Sequence, residues 1–303
     1  MMWESARNLC QAYHFTTWDF HINAHLGASL VNLERYQCAV ETLLPLVVDV
    51  RLHDSRDVAY DILRGLAVST RQLGQLKMSE TFFQLILHML GPSDERWIRT
   101  HINLASIKEL LGEHDHAVRH YTTAAGCARR IGHAELEAWS IIGWTTAAMS
   151  AGEKSHIMVL LDRADELTDL LENDHLSYAM KHNRLVLRRI ERDVDGFCCD
   201  YEALLREVPN DEWKARLIEE KVKWSLAIGN WDEAETWLHE ALRLPVTTPI
   251  RAELLTLGGE LYKRFGNWGQ AETYWLQAVE ALRACGSDLA NHVLCELQRI
   301  PRE

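Results

Sequence analysis

Two pairs of histidines in this 303-residue chain stand four residues apart, His21 with His25 and His116 with His120. That spacing places each pair on one helix face, where two imidazoles could share a metal ion. A metal site also needs a third ligand and a second layer of partners to orient the rings, and no HExxH run supplies them. Asp193-Val194-Asp195-Gly196 opens like a calcium loop but lacks the third acid and the closing glutamate. There is no glycine-rich loop to cradle phosphate, and no GxSxG or Cys/His signature to supply an activated nucleophile. The seven cysteines (10, 38, 127, 198, 199, 285 and 295) include no CxxC pair, and two of them are adjacent. Such a set suits neither zinc nor an ordinary disulfide framework and reads as reduced thiols of a cytoplasmic protein. The expectation is a chain with no catalytic residues, no metal and no cofactor.

The elements that carry these side chains explain most of them without chemistry. Near the C-terminus Gly229-Asn230-Trp231 leads to Ala234, Leu238 and Ala241, and Gly266-Asn267-Trp268 leads to Ala271, Trp275 and Ala278. Related runs occur earlier. Leu26-Gly27 precedes Tyr36, Ala39 and Leu43; Leu66-Ala67 precedes Gly74, Leu76, Ser79 and Phe83; Leu104-Ala105 precedes Gly112, Ala117, Tyr121 and Ala124. A looser run joins Trp144-Thr145 to Gly152, Ile157, Leu161 and Ala164. Six segments at intervals near forty residues indicate a stacked array. Apolar residues at three- and four-residue steps support helix throughout, and strand signals are nearly absent. Small residues let paired helices approach closely, and glycine at the turn accepts the left-handed conformation that ends a helix. Trp224, Trp231, Trp237, Trp268 and Trp275 fall at helical spacing and are expected in the packing.

These units resemble tetratricopeptide (TPR) repeats over about residues 20–283. The resemblance implies an all-α, right-handed α-solenoid of about seven helix pairs: an N-terminal helix over residues 1–19, the superhelix over 20–285, and a capping helix and tail over 286–303. Between 180 and 210 the pattern degenerates. Asp200-Tyr201-Glu202-Ala203 is the candidate opening of the second helix there, with Arg188 or Glu191 in place of the small residue. The small-residue positions then fall at 27, 67, 105, 145, about 188, 222 and 259, longer intervals than the usual TPR period of about 34. Long repeats are a feature shared with the TPR regulatory domains of bacterial transcription regulators and of intracellular peptide-pheromone receptors (the RRNPP group). The DNA-binding head and the helical bundle of that group are not expected here, since only about twenty residues precede the first repeat.

In TPR proteins the concave groove is lined by the second, fifth, ninth and twelfth positions of each first helix. That rule, applied to seven units, selects 28 residues, among them Arg64, Arg71, Arg99, Arg189, Arg192, Arg216, Lys223 and Lys263. Eight cations compare with about three expected from 32 Lys and Arg in 303 residues. The acids there are Asp61, Glu109, Glu219, Glu253 and Glu260, with His21 and His182 alongside. Asn103, one step around its helix, offers a donor and an acceptor to a peptide backbone. Arginine forks grip carboxylates in two places, so the groove is expected to bind a protein or peptide through acidic groups. The competing reading is a solvated face whose charges pair among themselves. Trp139, Ile142, Thr146 and Met149 add a candidate apolar patch, with simple packing as the alternative.

Six prolines and no Pro- or Ser-rich linker announce no domain boundary, and no apolar run approaches a membrane span. The net charge of -12 argues against direct binding to nucleic acid. Two functions remain open: a non-catalytic peptide- or protein-binding scaffold, and a peptide-sensing regulatory domain of a bacterial signalling system. Self-association as a homodimer through an exposed end of the stack is compatible with either.

Overall fold

The computed structural model describes residues 16–47, 55–153, 156–284 and 289–300. Its helices pair in sequence: α1 (Thr16–Asn32) with α2 (Tyr36–Leu43), α3 (Arg56–Gln72) with α4 (Leu76–Met89), and α5 (Glu95–Leu110) with α6 (His114–Ile131). There follow α7 (Ala134–Ser150) with α8 (Ile157–Leu171), α9 (Asp174–Glu191) with α10 (Val194–Glu207), α11 (Asp211–Ile228) with α12 (Trp231–Leu242), and α13 (Thr248–Arg264) with α14 (Trp268–Ala284). A last helix, α15 (Leu289–Gln298), lays Ala290 and Val293 against Trp275, Val279 and Leu282 and covers the end of the stack. There is no strand among the described residues. The separate N-terminal helix expected over 1–19 lies outside the described residues as far as residue 15, and from Thr16 the chain is already in α1.

Several first helices begin on a side-chain cap. Ser55, Asp94, Asn173 and Asn210 accept backbone N–H groups of Val58, Arg96, Leu176 and Trp213, satisfying donors that have no partner inside the helix. Each reversal between the two helices of a pair carries a left-handed residue, at 34, 74, 112, 152, 192, 229 and 266, and the fourth has a second at His156. Five of these are glycine; Glu34 and Arg192 adopt the same conformation with φ of 58° and 60°. Seven residues before each reversal stands the position of the small residue in the repeat, and in the first and last units it is a site of close approach. At Gly27 an added Cβ would sit 2.2 Å from Leu43 Cδ2, and at Gly259 it would sit 2.1 Å from Trp275 Nε1.

This cadence corrects the fifth unit. Its reversal is at Arg192, so the equivalent position falls at Leu185 rather than Arg188, and the intervals become 40, 38, 40, 40, 37 and 37. The second helix then presents Val194, Phe197, Tyr201 and Leu204 where the sixth presents Trp231, Ala234, Leu238 and Ala241. Large residues replace small ones together, and the space is filled by aromatic stacking: Phe197 lies 4.4 Å from Trp224 at an interplanar angle of 15°. Leu185, Phe197 and Trp224 are all inaccessible to solvent to within 1 %. The Asp-Val-Asp-Gly run is a helix start, since Asp193 accepts the Gly196 N–H at 3.0 Å and pairs with Arg188. Asn183 is buried and ties α9 to α7, donating to the Ile142 carbonyl at 2.7 Å and to Thr145 Oγ1 at 2.7 Å. Of the five tryptophans expected in the packing, Trp224 and Trp275 are fully buried, whereas Trp231 is 38 % exposed at a turn against Phe265.

Two substitutions test this register. Phe197→Ala, which restores the small residue typical of the other units, should lower stability by about 3–5 kcal/mol in chemical unfolding because it opens a cavity against Trp224. Arg192→Gly should raise stability by about 1 kcal/mol, as it relieves a left-handed residue carrying a Cβ. A neutral effect of the first change would place Phe197 outside the core.

Candidate functional site

With the fifth unit in register, its groove positions are Ala179, His182, Val186 and Arg189. Arg192 leaves the groove: it is the exposed left-handed residue that caps α9, its position fixed by the reversal and not by the concave face. The other candidates stay on the groove-lining register, but most are already engaged. Arg99 pairs with Glu95 at 2.6 Å, Arg189 with Glu220 at 2.5 Å, and Lys263 with Glu296 at 2.5 Å. Lys223 meets both Glu219 at 2.6 Å and Glu220 at 2.9 Å. The expected basic face is therefore a mixed one. Acids next to the groove positions, chiefly Glu220 and Glu296, neutralise cations that a count of groove positions leaves unpaired.

Burial and charge act against each other along this face. Burial pushes the Glu220 carboxyl up, but Lys223 and Arg189 outweigh it and hold the group near 2. Lys223 is raised for the matching reason, its desolvation more than offset by Glu219 and Glu220. Among the described residues Arg64 and Arg71 have no carboxylate within ion-pairing distance, and Arg216 has only Glu212, at 3.9 Å. Asn103 is half-buried with no hydrogen bond from its amide among the described residues.

The superhelix brings early and late units together across its inner face. Arg71, from the second unit, is lowered by burial while feeling Glu212 and Arg216 of the sixth and Glu109 of the third. Glu109 accepts a hydrogen bond from the Tyr121 hydroxyl at 2.8 Å and is raised to about 7 by burial, with Glu253 of the seventh unit adding to the shift. Glu253 is raised as well, by burial and then by Glu219. The C-terminal end also reaches the third unit: a Cβ built on Gly112 would meet Leu289 Cγ at 2.7 Å.

The apolar patch of the fourth unit is largely packing. Ile142 and Met149 are buried, and Thr146 donates to Asn183 Oδ1 at 3.0 Å. His116 and His120 do not converge. His116 Nδ1 faces Glu113 at 3.1 Å, whereas His120 Nδ1 lies 2.8 Å from His101 Nδ1. Such a contact requires one ring to donate and the other to accept, and burial, reinforced by His120, lowers His101 to about 4, keeping it neutral. Among the described residues no three His, Cys, Asp or Glu side chains gather as a metal site, and no described helix is long and apolar enough to cross a membrane. Two surface cavities of about 410 and 390 Å³ lie at unit edges, beside Gly112–His116 and beside Asp174–Lys181 with Glu207, and neither is lined by a groove position.

No protein-family model matches the sequence, and no curated protein matches it. Solved structures do match. Aspartyl phosphate phosphatase F from Bacillus subtilis aligns over 92% of this chain and 74% of its own, at 12% identity and a TM-score of 0.68. NprR in complex with its cognate peptide NprX aligns over 93% and 83%, at 11% identity and 0.62. A tetratricopeptide repeat protein from Parabacteroides merdae aligns over 92% and 99%, at 17% identity and 0.59. The chain thus has the right-handed, all-α TPR superhelix, the fold it shares with these structures.

The raised carboxyls make a pH prediction. Between the ordinary carboxylate value and about 7 the folded protein holds protons on Glu109 and Glu253 that the unfolded chain has released. Their contribution to stability therefore falls as pH rises through that window. The double variant Glu109→Gln/Glu253→Gln should melt progressively higher relative to wild type from pH 5 to pH 8. A difference that stays constant with pH means that both groups titrate normally.

Proposed function

We propose that this protein is a non-catalytic peptide-binding array, and that the concave face of its second, third and sixth units is where the peptide lies. The observation that carries this reading is the set of cations left over once internal pairing is complete. Among the described residues Arg64, Arg71 and Arg216 project from first helices without a hydrogen-bonded carboxylate, and the amide of Asn103, on the first helix of the third unit, is also unengaged. A carboxylate of a bound peptide is the natural counter-group for such guanidinium forks, and the asparagine suits the peptide backbone. The fold similarity to NprR, whose structure holds its cognate peptide, supports a peptide as the ligand.

A sensing role, in which binding changes the shape of the array, is favoured over a passive scaffold by one contact. Leu289 of the last helix rests on the reversal at Gly112 in the third unit, so the two parts of the array that flank the groove touch. A ligand between them acts on both, and a shape change follows if it fits the open and closed arrangements unequally.

Pairing decides which arginines matter. Arg64→Ala and Arg71→Ala should each weaken capture of an acidic peptide about tenfold or more, the loss expected when a hydrogen bond to a charged group is removed. Arg99→Ala, whose side chain already serves Glu95, should change it by less than about threefold. Fluorescence polarisation with a labelled panel of acidic peptides measures this, and equal losses at all three positions would return the groove to a diffuse basic surface.

A further inference from the structure

Two imidazoles meet between the helices of the third unit. His101 projects from α5 and His120 from α6, with their Nδ1 atoms 2.8 Å apart and their ring centroids 5.0 Å apart. Trp97, one turn before His101 on α5, covers the same ring at 4.1 Å between centroids. His101 is only 8 % exposed, and His120 is half-buried. The contact sits in the seam that joins the two helices.

A hydrogen bond between two imidazoles has a fixed proton count. With both rings neutral, one Nδ1 carries its hydrogen and the other accepts it. A first proton leaves the bond intact, because an imidazolium donates to a neutral ring. A second proton puts N–H groups on both nitrogens, and two donors with two positive charges then face each other. No acid relieves that conflict: among the described residues neither ring is hydrogen-bonded or ion-paired to a carboxylate. The acids of this region are already engaged. Lys108 joins Glu80 at 2.7 Å and Glu113 at 2.5 Å, and Glu113 also receives Lys77 and His116.

The charges around the rings add to the conflict. His101 faces His120 alone, whereas His120 faces Lys108 from α5, His116 from α6 and Glu80 from α4. The other helix packed against both, α7, places no charged group against either ring. Burial lowers both rings from the ordinary histidine value, His101 to about 4, and Lys108 and His116 lower His120 further. In the unfolded chain the same rings take up protons near ~6.5. The stability that the contact supplies is therefore complete above that value and is lost as pH falls toward about 4.

We propose that the His101–His120 contact is an acid-sensitive latch, closed while the pair holds no more than one added proton and opened by the second, which frees α5 from α6 in the third unit. Because α5 also carries Arg99, Asn103 and Glu109, its release couples acidity to the face proposed for the peptide. The latch belongs to the seam between two helices and stands apart from that reading.

Hydrogen–deuterium exchange across α5 and α6 tests it, read as protection factors so that the intrinsic pH dependence of exchange cancels. Glu109 lies on the same helix and, raised to about 7 by burial, shifts stability in the opposite sense over this range. Wild type is therefore compared with His101→Gln, His120→Gln and the double variant, all of which keep Glu109. From pH 7 to pH 5 the protection of wild type relative to the double variant should fall at least ~tenfold, the change expected when opening takes up one proton. Each single variant should lose more than half of that dependence, because an amide oxygen in either position accepts from the ring that remains. Losses at the two positions that only add up to the whole mark rings that titrate apart and overturn the latch. A ratio that does not change with pH overturns it as well. A second measurement needs no variant and decides the matter if a substituted chain does not fold. In ¹⁵N-labelled wild type a scalar coupling across the Nδ1–H···Nδ1 bond should be present at pH 7 and gone at pH 4. Its absence at pH 7, or its persistence at pH 4, overturns the latch.

Discussion

A left-handed residue at the reversal of each unit sets the geometry of the array. It ends the first helix, reverses the chain, and fixes the position seven residues earlier, where Gly27 and Gly259 let the partner helix approach closely. Once that contact is fixed, so is the rotation of the first helix about its own axis, because side chains on a helix can be turned inward only at one phase. The groove positions follow from the phase. The groove register is thus a distant consequence of seven backbone reversals, repeated at nearly constant spacing. Were one reversal displaced by a residue, every first-helix side chain in that unit would rotate by roughly 100 degrees and a groove charge would turn into the core or out to solvent.

The fifth unit shows that the spacing is retained where the residue types are not. It has lost the glycine at its reversal, the small residue at its close approach, and both alanines of its second helix. In their place stand Arg192, Leu185, Phe197 and Leu204. Each change alone breaks a rule of the repeat; together they are consistent, because Leu185, Phe197 and Leu204 share one core cluster with Trp224 of the next unit, which stacks on Phe197. The left-handed arginine costs about 1–2 kcal/mol relative to glycine. Arg188, bound to Asp193 and Asp200 on the far side of the same turn, holds the reversal against that cost.

These particulars explain what was legible in the sequence. Six units could be read because glycine, aromatic and alanine recur at fixed offsets, each with a local physical reason. The fifth could be located but not phased, since its compensation is distributed over residues that have no local signature, and the error carried Arg192 into the groove. The groove itself was legible as a register and not as a potential. Arg99 is neutralised by a residue one turn away on its own helix, which helical spacing alone would have revealed. Lys263 is neutralised by Glu296 from the last helix, and Arg189 by Glu220 from the next unit, at sequence separations of 33 and 31. Such partners become visible only when the superhelix is assembled.

A count of groove cations therefore measures little on its own. The chain is acidic overall, and its acids crowd the margins of the concave face, where burial strengthens pairing and no guest is needed. What distinguishes a binding surface from a structural ion network is the remainder left by internal pairing. Among the described residues Arg64 and Arg71 have no carboxylate within ion-pairing distance, and Arg216 has only Glu212, at 3.9 Å. Water can screen a guanidinium held in that way, whereas a carboxylate meets its planar fork with two parallel hydrogen bonds. The residues that internal pairing passes over, and not the total of basic groove positions, are therefore where a guest gains most.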